Sequence, residues 1–120
     1  MLVGDSSHAL SGAFGSGAGF AMEDGWVLAQ ALALRRNDRR AALDLFAAVR
    51  LPYYARMYAH LGAEAARRAA RLAEIEHVRG KPPSYDERVK NKIISDGGTD
   101  MSWIYEHDVG ATWREFVQAF

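Results

Sequence analysis

The residues able to do chemistry are gathered in the first 24 positions. Val3-Gly4-Asp5-Ser6-Ser7-His8 offers a carboxylate, two hydroxyls and an imidazole; Gly15-Ser16-Gly17-Ala18-Gly19 follows, and Glu23-Asp24 closes the group. Six of the 11 glycines fall between Gly4 and Gly25. Small residues let a ligand approach the backbone, and a helix beginning just after them presents unpaired N–H groups carrying partial positive charge. The pattern suits a phosphate-type or cofactor-type ligand. It is not the G-x-G-x-x-G dinucleotide fingerprint, which needs a strand directly before it and an acidic residue about 20 positions on.

These residues need elements to hold them. Met1-Leu2-Val3 reads as the end of a buried strand, terminated by Gly4-Asp5. Apolar positions Phe20, Val27, Leu28, Ala31 and Leu34 recur at helical spacing, which predicts a helix starting near 15–17 and ending by Asn37. Asp38 suits the N-cap of a second helix through Arg50. Pro52 suits the first turn of a third helix reaching about Val78, because a first-turn N–H has no intrahelical partner. Gly80-Lys81-Pro82-Pro83 breaks the chain, residues 84–100 with Asp96-Gly97-Gly98 read as a mixed loop, and 101–118 as an aromatic-rich helical end. The fold class expected is mainly α.

Composition narrows the function classes. The chain has 120 residues, 49% hydrophobic and 25% charged, as in an ordinary globular domain. Fifteen basic and 15 acidic side chains cancel, so a generally basic nucleic-acid binder is not suggested. The charge is nevertheless segregated: residues 1–34 carry three acids and no Lys or Arg, whereas 35–92 carry 14 bases against 7 acids. Without cysteine there is no disulfide framework, thiol catalysis or cysteine-based zinc site, and no metal site is expected. No apolar run approaches the roughly 18 residues of a membrane span. No basic segment precedes an apolar one as in a signal peptide, so a cytoplasmic location is the default.

The order of residues carries a resemblance. Val3-Gly4-Asp5-Ser6-Ser7-His8-Ala9, Gly15-Ser16-Gly17-Ala18-Gly19 and Ala21-Met22-Glu23-Asp24-Gly25 resemble the second FAD-binding motif of the single-component flavoprotein monooxygenases, the salicylate hydroxylase-like aromatic hydroxylases. Arg50-Leu51-Pro52-Tyr53 and Trp103 to Val109 are weaker echoes of that family's C-terminal helices. The resemblance implies that Asp5 accepts a hydrogen bond from a ribityl hydroxyl of FAD, and that the 15–19 turn brings backbone N–H groups and a helix N-terminus to the pyrimidine end of the flavin. The FAD-contacting residues it implies are Gly4, Asp5, Gly12, Gly15, Ser16, Gly17, Ala18 and Gly19; it names no catalytic side chain. The family commonly has Pro where this chain has Gly12, and often Asn where it has Gly19.

In that family NAD(P)H reduces the flavin and the substrate is a small aromatic molecule. An N-terminal Rossmann unit holds the ADP half of FAD, which makes this chain the strand-end and helix part of an α/β flavoprotein, incomplete by itself. Residues 1–36 would then be the last piece of the FAD-binding domain and 37–120 a C-terminal helical segment, in one structural unit. Self-association through an apolar face left exposed is expected.

Competing readings start from the same residues. Gly4-Asp5-Ser6 also resembles the nucleophile block of Gly-Asp-Ser esterases, with Ser6 attacking. That chemistry needs a base oriented by an acid, and three positions before His107 stands Ile104, not Asp. A non-catalytic helical interaction fragment is a third reading. Singly, Asp5 could cap the turn after it, His8 could be a structural hydrogen-bonding residue, and Glu23 and Asp24 could favour a helix dipole. Arg67, Arg68 and Arg71 read as a solvated helix face, and Trp103, Trp113 and Phe116 as core.

Overall fold

The computed structural model describes residues 2–8, 15, 17–96 and 100–119. It is 83% helix, with no strand among the described residues. Among the described residues six helices follow in order: α1 (Asp5–His8), α2 (Gly17–Leu34), α3 (Arg39–Arg79), α4 (Tyr85–Asp96), α5 (Ser102–Tyr105) and α6 (Val109–Gln118). Two compact units emerge, one of residues 1–55 with 108–120 and one of 56–107, and α3 contributes to both.

The first unit is built on an apolar seam. Val27 and Ala31 of α2 meet Ala42, Leu45, Phe46 and Val49 of α3, all buried, with Val3, Leu28, Val109, Trp113 and Phe116 packed against them. The i, i+4 and i+3, i+4 spacing of these residues puts each set on one helix face. Trp26 meets Trp113 edge-to-face at 6.3 Å between ring centroids, tying α2 to α6. Asp38 caps α3 as expected, accepting from the Ala41 N–H at 2.9 Å, and Asp108 caps α6 through the Ala111 N–H at 2.9 Å.

Three expectations are corrected. Leu2-Val3 is not a strand: Leu2 is exposed, and the Val3 N–H and carbonyl both bond the Ser6 hydroxyl, at 3.2 and 2.7 Å, so they close a turn instead of entering a sheet. The second and third helices are one. Pro52 lies inside α3, although its missing N–H leaves a carbonyl one turn back without its usual donor and its ring crowds that turn. Core residues Leu45, Phe46 and Val49 before it and the buried Tyr54 after it hold the helix continuous.

The third correction is α4, where a loop was expected. Ser84 and Glu87 form a reciprocal cap: the Glu87 N–H donates to Ser84 Oγ at 3.4 Å and the Ser84 N–H to Glu87 Oε2 at 2.9 Å. In this second unit Gly80, with φ +67°, ends α3 by donating to the Glu76 carbonyl at 2.8 Å. Arg79 pairs with Glu87, the Arg56 guanidinium lies 4.3 Å from the Trp103 ring centroid, and Ile104 and Met57 are buried. Trp103 is half-buried, and Arg67 is solvated and paired with Glu64. The Gly97-Gly98 pair and Met1 lie outside the described residues.

Asp100 precedes α5, and hydrogen bonds from Ser102, first from its side chain and then from its backbone N–H, hold its carboxyl below the usual carboxylate range, with a smaller contribution from Arg56. A depressed folded value means its contribution is present above the ordinary carboxylate range and is lost as pH falls through the lowered value. Asp100→Asn is expected to remove that acid-side increment from the pH dependence of stability, measured by urea unfolding at stepped pH. Pro52→Ala restores a donor inside α3 and is expected to stabilise the chain by up to about 3 kcal/mol, read from the same unfolding curves.

Candidate cofactor-binding site

Gly4 has φ +60°, a left-handed conformation that suits glycine, and a Cβ there would come within 3.3 Å of the Ala21 Cβ. That turn starts α1 and sets Asp5 on the surface. What fixes it is Asp24, fully buried in α2. One oxygen, Oδ2, accepts from the Gly4 N–H at 2.9 Å and from His8 Nε2–H at 2.8 Å. The other, Oδ1, accepts from Arg50 Nε–H at 2.8 Å and from the Tyr54 hydroxyl.

Arg50 is itself buried and also pairs with Glu23 through Nη1 at 2.8 Å. Its guanidinium lies 5.2 Å from the Tyr53 ring centroid and 5.0 Å from that of Tyr54. The His8 ring stacks at 4.4 Å on Tyr54 and meets Phe20 edge-on at 6.2 Å. A buried carboxylate is tolerable only with such partners, since its charge has left water. His8 thus stands as a structural hydrogen-bonding residue. Asp24 is more than a dipole residue, because it is the acceptor that pins the Gly4-Asp5 turn to α2 and α3.

Several residues singled out from sequence are brought together. The Asp5 carboxylate reaches the start of α2, with Oδ1 3.7 Å from where a Gly17 Cβ would stand. Gly15 has φ +64° and is exposed; a Cβ at Gly15 or Gly19 would meet nothing within 4 Å among the described residues. Gly25 and Gly62 are open in the same way, so openness alone marks no site. Gly17 and Gly19 differ in lying in the first turn of α2, with Ala18 between them, and Gly17 lies beside Asp5. That turn carries no acidic side chain of its own, and the Asp5 carboxylate lies beside its first residue, at the positive end of the helix dipole. Gly12 and Ser16 lie outside the described residues.

The arrangement can accept a hydroxyl proton at Asp5 and place a negatively polarised group at the α2 N-terminus. Residues 17–19 have little or no side chain, which leaves the backbone there open among the described residues. Ser6 is turned to other work, its hydroxyl donating to the Val3 carbonyl at 2.7 Å. No cluster of three metal-ligating side chains occurs among the described residues, and none of their helices is long and apolar enough to cross a membrane. Sequence reasoning missed Arg50 and Tyr54 as partners of Asp24. Their i, i+4 spacing and the lone Arg beside the apolar run ending at Val49 were the available signal.

Over 117 residues the chain is similar to salicylate hydroxylase of Pseudomonas putida. The two are 27% identical across 95% of this chain, and the matched stretch is 24% of the relative's length. No family model and no solved structure matches.

Loss of the central acceptor takes a partner from four buried donors and leaves Glu23 as the remaining carboxylate against the buried Arg50 charge. Asp24→Ala is therefore expected to destabilise the chain by about 3–5 kcal/mol, measured by urea unfolding followed by circular dichroism.

Proposed function

We propose that this chain supplies the ribityl- and ring-contacting part of the FAD site of a flavin-dependent, NAD(P)H-using monooxygenase acting on an aromatic or related small molecule in the cytoplasm. The observation that carries the reading is the meeting of Asp5 with the glycine-rich start of α2. The distant similarity to salicylate hydroxylase supports it. On this reading residues 1–36 are a piece of an FAD-binding domain and 37–120 a helical segment packed beside it. The chain spans 24% of the relative's length, and on this reading the pyrophosphate and adenosine contacts would come from a Rossmann part outside it.

The residues present fit the flavin's chemistry. Asp5 would accept a hydrogen bond from a ribityl hydroxyl. The first-turn N–H groups of α2 would stabilise negative charge at the pyrimidine end of the ring, as a fixed dipole that needs no reorganisation. Gly15, Gly17, Ala18 and Gly19 would admit the ring to the backbone, with Gly4 setting the height of the turn. Bound FAD supplies the redox and oxygen chemistry, so no side chain here is assigned a catalytic role. Exposed Met22, Trp26, Leu32 and Leu34 on α2 favour self-association of the chain in isolation.

The test uses flavin fluorescence. FMN, which carries the ring and ribityl chain, is expected to bind the chain weakly, above the micromolar range, and FAD no better, because the adenosine half finds no contacts. Asp5→Ala removes a charge-assisted acceptor typically worth about 1.5–3 kcal/mol, so affinity should fall about ten- to a hundredfold, while Ser6→Ala changes it far less. Hydrolysis of an activated ester that is lost in Ser6→Ala, with flavin binding untouched by Asp5→Ala, would replace this reading by the esterase one.

A further inference from the structure

Gly4, His8 and Asp24 form a closed ring of hydrogen bonds. The His8 backbone N–H donates to the Gly4 carbonyl at 3.0 Å, its Nε2–H donates to Asp24 Oδ2 at 2.8 Å, and the same oxygen accepts from the Gly4 N–H at 2.9 Å. Asp5 follows Gly4 inside this ring. Its backbone direction is set from both sides, by the left-handed Gly4 before it and by the turn that closes at His8.

Filling space does not by itself account for an imidazole at this position. The ring is fully buried against Tyr54 and Phe20. A carboxylate only accepts, so Nε2 carries the proton and Nδ1 is left as an acceptor. Nδ1 is buried with no hydrogen-bond partner among the described residues. A phenyl ring could pack on the same neighbours without burying an unmet acceptor, which is unfavourable. What the imidazole adds is its one Nε2–H bond, and that bond orients the carboxylate that holds Gly4.

The effect reaches the surface at Asp5, whose Oδ1 stands 3.7 Å from the place of a Gly17 Cβ. A carboxylate held there before a ligand arrives spares the ordering that binding would otherwise have to supply. We infer that His8 is a positioning residue for the candidate site: through Asp24 and Gly4 it holds the Asp5 carboxylate at the start of α2, ready for a ribityl hydroxyl. The identity of the ligand rests on the flavin reading, whereas the coupling of His8 to Asp5 does not.

Two substitutions in the full chain separate the donor from the ring. His8→Phe keeps the aromatic packing and removes the donor, whereas His8→Gln offers an N–H₂ the same number of bonds from the backbone as Nε2. In nitrogen-15 spectra Asp5→Asn removes a charge beside Gly17, and it should shift the Gly17 amide in the wild-type chain and in His8→Gln but much less in His8→Phe. In FMN titrations followed by fluorescence, His8→Phe should weaken binding about tenfold and His8→Gln should restore most of it. In an Asp5→Ala background His8→Phe should cause no further loss, because both changes act through one carboxylate. A purely structural His8 would lower the unfolding midpoint and leave the Gly17 shift and the FMN affinity of the folded chain unchanged. Equal Gly17 shifts in wild type and His8→Phe, or FMN losses from the two substitutions that simply add, would overturn the positioning role. Coupled Gly17 shifts without FMN binding to the wild-type chain would uphold that role and overturn the flavin reading alone.

Discussion

The Asp24 carboxylate organises the N-terminal part of this protein. It is fully buried, and four donors from three places in the chain converge on it. Such a group adds little net stability over a well-packed apolar alternative, because desolvation offsets most of the attraction. What it supplies is position. Apolar packing on the Val27–Leu45 seam would tolerate small slips of the N-terminal turn, whereas two hydrogen bonds to one oxygen do not.

From that fixed point the candidate site follows. Gly4 is held left-handed, α1 begins at Asp5, and the Asp5 carboxylate arrives at the glycine-rich first turn of α2. The buried residues His8, Arg50 and Tyr54 act through geometry, and Asp5 and the start of α2 are where the proposed flavin contacts would fall.

Much of this was legible in the sequence. The α2 periodicity and the Asp38 cap could be read from spacing and residue type. What failed were local rules overruled by tertiary contacts. Pro52 reads as a helix start, but Leu45, Phe46 and Val49 on one side and Tyr54 on the other are buried together, and their burial outweighs the local penalty. Leu2-Val3 reads as a strand end because its apolar character is visible and the Ser6 hydroxyl that claims its backbone groups is not. For α4 the signal was present, since Ser84-x-x-Glu87 ahead of Val89, Ile93 and Ile94 is a capping box before an apolar pattern. Flanking Pro82-Pro83 and Gly97-Gly98 masked it. The partners of Asp24 lie 16 to 30 residues away, beyond the reach of any periodicity.

The division of donors on Asp24 also sets an order of opening. Arg50 and Tyr54 hold one oxygen from α3, while Gly4 and His8 hold the other from a four-residue helix too short to persist alone. Releasing the N-terminal turn breaks the second pair together with the packing of Val3 and of the His8 ring, but leaves the Arg50–Asp24 ion pair in place. The Gly4–His8 segment is therefore a separable local unfolding unit, the last part of this region to order during folding and the first to detach in a native fluctuation.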